Sequence, residues 1–272
     1  MAEGAPSPTG PGQVSTPRLA FRDRRFEPGE RVLPQETAVA LVHDASTTAV
    51  MMATPADLED FGLGFSLTEG LIARPEQLRG LEVVSGALGV EVRMWLDPSR
   101  SEMLAARRRR LVGPSGCGLC GVESLAEAVK PPPQVAAGIR ITADQILQAV
   151  GALPGLQPLG AATRAVHAAA YWTPDEGLAL LREDVGRHNA LDKLAGGLAA
   201  SGMRPENGAI VLTSRVSVEM VQKSAAIGAP IIIAVSAPTS LAVELAEQAG
   251  VTLVAIARSD GFEVFSGRGR IA

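Results

Sequence analysis

Three short apolar runs in the last third of the chain constrain its fold most. Ala209–Leu212, Ile231–Val235 and Val251–Ile256 are rich in Val and Ile and carry no polar alternation. That is the pattern of strands buried on both faces. Between them lie stretches with helical spacing, Val216–Ile227 and Leu241–Ala249, the second closed by Gly250. Alternating strand and helix implies right-handed crossovers and a parallel sheet covered by helices. The turns leaving the strands are then Thr213-Ser214-Arg215, Ser236-Ala237-Pro238-Thr239-Ser240 and Ala257-Arg258-Ser259-Asp260-Gly261. They fall at the carboxyl ends of the strands, where open α/β sheets bind ligands. Hydroxyls, helix N-termini and two arginines suit a phosphorylated ligand. Helix capping accounts for any one of these Ser or Thr residues, but less well for their recurrence in three turns.

The remainder is a smaller mixed α+β region. Residues 1–20, rich in Gly, Pro, Ser and Ala, read as a disordered tail. Ala38–Val42 and Thr47–Met52 form a hairpin around His43-Asp44-Ala45-Ser46. A helix follows, with Thr54 as cap, Pro55 in its first turn, and Leu58, Phe61, Leu63 and Phe65 on its apolar face. Asp57, Glu59, Asp60 and Glu69 read as solvated helix charge rather than a metal cluster. Strands are expected at Glu82–Ser85 and Val90–Leu96, and a short helix at Val122–Val129. Lys130-Pro131-Pro132-Pro133 reads as a linker between an N-terminal region, 21–133, and a C-terminal region, 134–272. A further helix spans Thr142–Leu153, capped by Thr142 or Asp144, and a strand covers Leu178–Leu181.

Both cysteines of the chain, Cys117 and Cys120, sit in Ser115-Gly116-Cys117-Gly118-Leu119-Cys120-Gly121. Glycines around two thiols mark a tightly bending backbone or one that lets something approach. Arg107-Arg108-Arg109-Arg110 lies upstream, and its positive charge favours thiolate over thiol. The block can also steer an acidic partner or an anionic ligand toward the loop. Three chemistries fit the pair: a dithiol redox couple, half of a zinc site, or a carrier of sulfane sulfur as a persulfide. A zinc nucleobase deaminase needs His-x-Glu ahead of Pro-Cys-x-x-Cys. Here His167 follows the cysteines, is succeeded by Ala168-Ala169, and Gly116 replaces the proline, so that assignment fails.

Two polar stretches remain. His167 either lines a pocket or satisfies a core hydrogen bond. Arg187 and His188, in a polar turn after a strand, occupy a typical site position, although pairing with Asp184 or Asp192 is the structural alternative. Composition narrows the setting. A net charge of −4 gives no general attraction to nucleic acid or anionic membrane. Two cysteines in 272 residues fit a reducing, cytoplasmic compartment, and no apolar run is long enough to span a bilayer.

Several segments together resemble one family, the formate dehydrogenase accessory sulfurtransferases (the FdhD family). They are Met52–Phe61 with Glu69-Gly70, Cys117–Gly121, Val166–Ala170, Glu183–Lys193, Ser214–Lys223 and Ser236–Ala242. The resemblance implies transfer of sulfur from a cysteine desulfurase, as a persulfide on Cys117 with Cys120 assisting. The acceptor would be the bis-molybdopterin guanine dinucleotide cofactor required by formate dehydrogenase, and a guanine nucleotide is expected to bind in its place. It also implies a cofactor contact at Ile256, Ala257, Arg258, Ser259, Asp260 and Gly261, beside Ser214, Arg215, Ser236 and His188. A C-terminal fold similar to cytidine deaminases without their zinc motif, and a homodimer, follow from the same resemblance. The chain departs from the family pattern at Arg164-Ala165, Ser259 and Gly261.

Overall fold

The computed structural model describes residues 7–111, 131–135 and 138–272 of the chain. Three sheets organise it. The first strands are β1 (Ser7–Gly10), β2 (Gln13–Arg22) and β3 (Arg25–Pro34), in the order β1-β2-β3. Ser7–Gly10 and residues 13–20 are therefore strand, joined by a turn, and not tail. The partner that orders them is β3, paired from Gln13↔Pro34 to Arg22↔Arg25, which no composition window on the first twenty residues contains. Gly12 turns the chain into β2 with φ +67, and a Cβ there would sit 2.6 Å from Thr54 Cγ2.

The second sheet holds β4 (Thr37–His43), β5 (Ser46–Ala53), β6 (Leu78–Gly86) and β7 (Gly89–Leu96) in the order β5-β4-β7-β6. Helix α1 (Leu58–Thr68) lays Phe61 and Phe65 on it against Leu41, Val92 and Met94. The expected hairpin and strands are all present. The cap is not. Asp57 occupies the N-cap position in a left-handed conformation without a side-chain cap bond, whereas Thr54 is buried and bonded elsewhere. Helix α2 (Pro98–Leu111) takes in the arginine block, for which the sequence predicts no helix.

The third sheet lies in the C-terminal half. Helices α3 (Ala143–Ala152) and α4 (Pro158–Thr163) precede β8 (His167–Thr173) and β9 (Gly177–Asp184). Then come α5 (Arg187–Ala200), β10 (Ala209–Leu212), α6 (Val218–Ala226), β11 (Ile231–Ala234), α7 (Ser240–Ala249), β12 (Thr252–Arg258) and β13 (Gly261–Ser266). Thr142 caps α3 in a capping box with Gln145, and Gly250 closes α7 in the left-handed region.

The strand order is β13-β12-β11-β10-β8-β9. The expectation of a parallel sheet holds for its centre, β10, β11 and β12. It fails at both edges, where β13, β8 and β9 pair antiparallel with their neighbours. Short turns join β8 to β9 and β12 to β13, and only a crossover long enough to hold a helix returns a strand parallel. The sheet is a mixed one. Alternate residues feed two cores: Ile210, Ile232 and Leu253 face Leu194, Met220 and Leu245, while Val211, Ile233 and Val254 face Ile146 and Val150.

One helix crossing joins the halves. A Cβ on Gly64 would lie 1.7 Å from the Asp192 carbonyl oxygen, and one on Gly196 would lie 1.9 Å from that of Asp60. Helices α1 and α5 thus touch backbone to backbone, and glycine is what permits it. Downstream of the proline run, Val135 N–H donates to Ala249 O at 2.8 Å.

Candidate functional site

The edge at the carboxyl ends of β10, β11 and β12 is stitched together by backbone bonds between its turns. Val216 N–H donates to Ala237 O at 3.2 Å, Thr239 N–H to Val216 O at 2.9 Å, and Ile256 N–H to Ser236 O at 3.2 Å. The antiparallel strand β8 begins at this same edge: Ala168 N–H donates to Thr213 Oγ1 at 2.8 Å. Strand β9 ends here, since Asp184 pairs with His167. Helices α5, α6 and α7 therefore all start at one edge, each carrying the partial positive charge of its free N–H groups.

Two buried ionic networks fix the start of α5. Asp184 and Lys193 are 2.6 Å apart with side chains fully enclosed. The Asp184 carboxylate also accepts from Thr54 N at 3.0 Å, Gly186 N at 2.7 Å and Asn189 Nδ2 at 2.9 Å. Lys193 donates in addition to Thr54 O at 2.8 Å. Further along α5, Asp192 accepts from Lys223 at 2.9 Å and from Thr68 Oγ1 at 2.6 Å, while Lys223 reaches Glu69 at 2.7 Å. Burial pulls the Lys223 ammonium down, but the carboxylates of Asp192 and Glu69 outweigh it and hold it above the ordinary lysine value. The polar density of Glu183–Lys193 is thus largely the anchoring of α5 to the N-terminal half. Asp60 belongs to this seam too, 2.6 Å from Arg182, so Asp60 and Glu69 are paired rather than merely solvated.

Arg187, Arg215, His167 and His188 act on one another electrostatically near this edge, with the Glu219 carboxylate beside His188. Burial, then the charges of Arg187 and Arg215, hold His167 below the usual histidine value, against the pull of Asp184. Burial and Arg187 do the same to His188, with Lys223 adding to them and Glu219 and Glu69 opposing. His188 Nε2 lies 3.8 Å from Glu219, too far for a hydrogen bond. Its Nε2 has no hydrogen-bond partner among the described residues, so neither Asp184 nor Asp192 is bonded to it there.

The expected cofactor contacts divide into three groups. Ser214, Arg215, Ser236 and Ile256 are brought together by the backbone bonds above. Ser214 is itself buried, its hydroxyl donating to Arg215 O at 3.0 Å. Ala257 is fully buried in the core, so only its backbone can meet a ligand. Arg258, Ser259 and Asp260 are exposed where β12 turns into β13, and Gly261 follows with φ +157. Ile256 has φ +53, a rare conformation for a β-branched residue. Strain of this kind clusters at ligand clamps. Cys117, Cys120 and the expected helix at Val122–Val129 lie outside the described residues. None of the cofactor residues lines the cleft of about 410 Å³ beside β9, whose wall includes Leu180, Arg182 and Glu183. Arg187, placed by the sequence in a polar turn at the end of a strand, lies near enough to act by its charge on both His167 and His188.

Fold and edge define the class: a protein with an α/β/α C-terminal half, three helix N-termini and two arginines at one edge, and an N-terminal α/β half locked to it through α1. A model of the FdhD/NarQ family matches residues 34–272. The sulfur carrier protein FdhD of Agrobacterium fabrum is 48% identical over 255 residues, covering 93% of this chain and 94% of that protein. The protein of the same name from Cupriavidus necator is 46% identical over 265 residues, covering 95% and 92%. A crystal structure from Desulfotalea psychrophila, assigned to a formate dehydrogenase accessory protein, superposes with a TM-score of 0.77 at 27% identity, covering 96% of this chain and 100% of that one. The chain belongs to the FdhD/NarQ family.

Proposed function

We propose that this protein carries sulfur to the bis-molybdopterin guanine dinucleotide cofactor of formate dehydrogenase. The observation that carries the reading is the cysteine pair. The chain's two thiols stand three positions apart among glycines, in a family whose relatives are named sulfur carriers. The Cys117 thiolate attacks the outer sulfur of a cysteine desulfurase persulfide, which leaves as thiolate, and Cys117 becomes the persulfide. Delivery then follows from the second thiol. Attack of the Cys120 thiolate on Cys117 Sγ releases hydrosulfide and leaves a Cys117–Cys120 disulfide, which a cellular dithiol reopens. The cofactor is the substrate, held at the edge formed by Ser214, Arg215, Ser236 and Ile256–Gly261, with a guanine nucleotide able to take its place. A cytoplasmic location and a homodimer belong to the same reading.

Intact mass after incubation with a cysteine desulfurase and cysteine tests it. Wild type should gain one sulfur that a reductant removes, Cys117→Ala should gain none, and Cys120→Ala should gain sulfur but fail to release it. No added sulfur on either wild type or Cys120→Ala refutes the carrier.

A further inference from the structure

We propose that β9 and the cleft beside it take up an extended peptide of basic and apolar composition, added as a further strand to the C-terminal sheet. β9 is the last strand of that sheet, and among the described residues no strand pairs with its outer side. The register shows what that side offers. Ala168 turns both its N–H and its C=O toward β10, meeting Thr213 Oγ1 at 2.8 Å and Thr213 N–H at 3.1 Å. Backbone groups alternate along a strand, so Ala169 and Tyr171 turn theirs to β9, where they face Arg182 and Leu180. Leu181 and Glu183 lie between those pairs and direct their N–H and C=O groups outward. Arg182 Nη1 already donates to Leu181 O at 2.9 Å. The Leu181 N–H and both backbone groups of Glu183 remain for an added strand, a mode of binding in which main-chain bonds supply the affinity.

The cleft selects the composition. Its volume of about 410 Å³ lies in the range of ligand sites, and Pro11, Leu156, Pro158, Leu178 and Leu180 give it apolar walls. Glu183 and Asp57 line it too. The Glu183 carboxylate is held by Leu159 N–H at 2.9 Å and Gly160 N–H at 2.7 Å, and only 8% of the residue is exposed. Among the described residues no cation lies within ion-pair distance of it. Asp57 has one ion contact, 3.6 Å from Arg182, and that guanidinium sits closer to Asp60, at 2.6 Å. An enclosed carboxylate without a counter-charge is costly, and a lysine or arginine of the ligand offsets that cost. A second copy of β9 brings no such group, because its one cation, Arg182, is already bound to Asp60. No residue assigned to the cofactor takes part, so this site stands independently of the sulfur carrier.

Amide NMR of the isotope-labelled full chain tests it, with the peptide acetyl-Val-Lys-Val-Lys-Val-amide as probe. The same peptide with Glu in place of Lys, and lysine amide alone, serve as controls. The basic peptide should shift the amide signals of Leu181 and Glu183 and bind about tenfold or more tighter than the acidic one, the worth of a charge-assisted bond. N-methylation of alternate residues, in the register that faces β9, should weaken it by about tenfold for the backbone bonds lost. Glu183→Gln should remove most of the preference for the basic peptide. Asp57→Asn should act in the same direction; asparagine tolerates the left-handed backbone of this position, which guards against a folding defect in the first variant. Equal binding of basic and acidic peptides by wild type, or a preference unchanged in both variants, overturns the proposal. So does lysine amide binding as tightly as the peptide, which makes the cleft a site for a small cation. Wild type binding neither peptide overturns it as well. If that chain is then dimeric and Leu181→Pro, which removes an outward N–H, makes it monomeric, the edge belongs to a second copy.

Discussion

Replacing Lys193 by Met should be among the most damaging single changes to this fold, although the residue touches no expected ligand. Met keeps the length of the side chain and its packing near the Phe61 ring, over which the ammonium sits 5.8 Å from the centroid. What it removes is the charge 2.6 Å from Asp184, in a site with no exposed side-chain surface on either partner. Three neutral donors remain on the carboxylate, from Thr54, Gly186 and Asn189. Breaking a buried pair by removing one member costs about 3–5 kcal/mol, because the other charge stays behind. At about 2–4 °C per kcal/mol for a chain of this size, thermal unfolding should fall by about 6–20 °C. Asp184→Asn combined with Lys193→Met removes both charges and should recover part of the loss. Recovery stays incomplete, since the Asn amide nitrogen opposes a backbone N–H that the carboxylate accepted. Urea unfolding of wild type, both single variants and the double variant measures the coupling directly. If Lys193→Met stays within about 1 kcal/mol of wild type, or the double variant loses the sum of the singles, the argument from burial is wrong.

Other outcomes follow from the same geometry. Gly64→Ala places a carbon 1.7 Å from the Asp192 carbonyl, a backbone contact that no rotamer relieves. It should cost about 3 kcal/mol or more, at the upper end of overpacking, and proteolysis should then open the α1–α5 seam first. The sign for the histidines is definite. His167 and His188 are held below 6.5 when folded, by burial first and then by Arg187. As pH falls through 6.5 the unfolded chain takes up protons that the folded one refuses, so their contribution to stability is complete above that pH and is lost below it. His167→Gln/His188→Gln should flatten the decline in unfolding midpoint between about pH 7 and 5 relative to wild type; an identical slope refutes it. Tyr171 is the only tyrosine, and its hydroxyl donates to Arg204 O. Burial, then Glu206 and Glu176, push it up to about 12, so tyrosinate absorbance should appear near there and not at the ordinary value.

The sequence by itself determined whatever depended on local pattern. Runs such as Ile231–Ala234 have no other way to bury their side chains than as central strands, and Thr142 with Gln145 announces a capped helix from four residues. The cysteine pair was equally legible, because spacing and glycine content need no partner elsewhere. Only the tertiary structure decided what depended on distant partners. The strand at Gln13–Arg22 exists because Arg25–Pro34 pairs with it. Thr54 is not a cap because the N–H of Val185, more than a hundred positions away, takes its side-chain oxygen, while Asp184 and Lys193 hold its backbone. Much of the polarity of Glu183–Lys193, which resembled a binding motif, proved to be neutralised charge in the seam between halves. Hydrogen bonds and charge neutralisation act across space, and a single sequence states which groups carry charge without stating which of them are left unpaired.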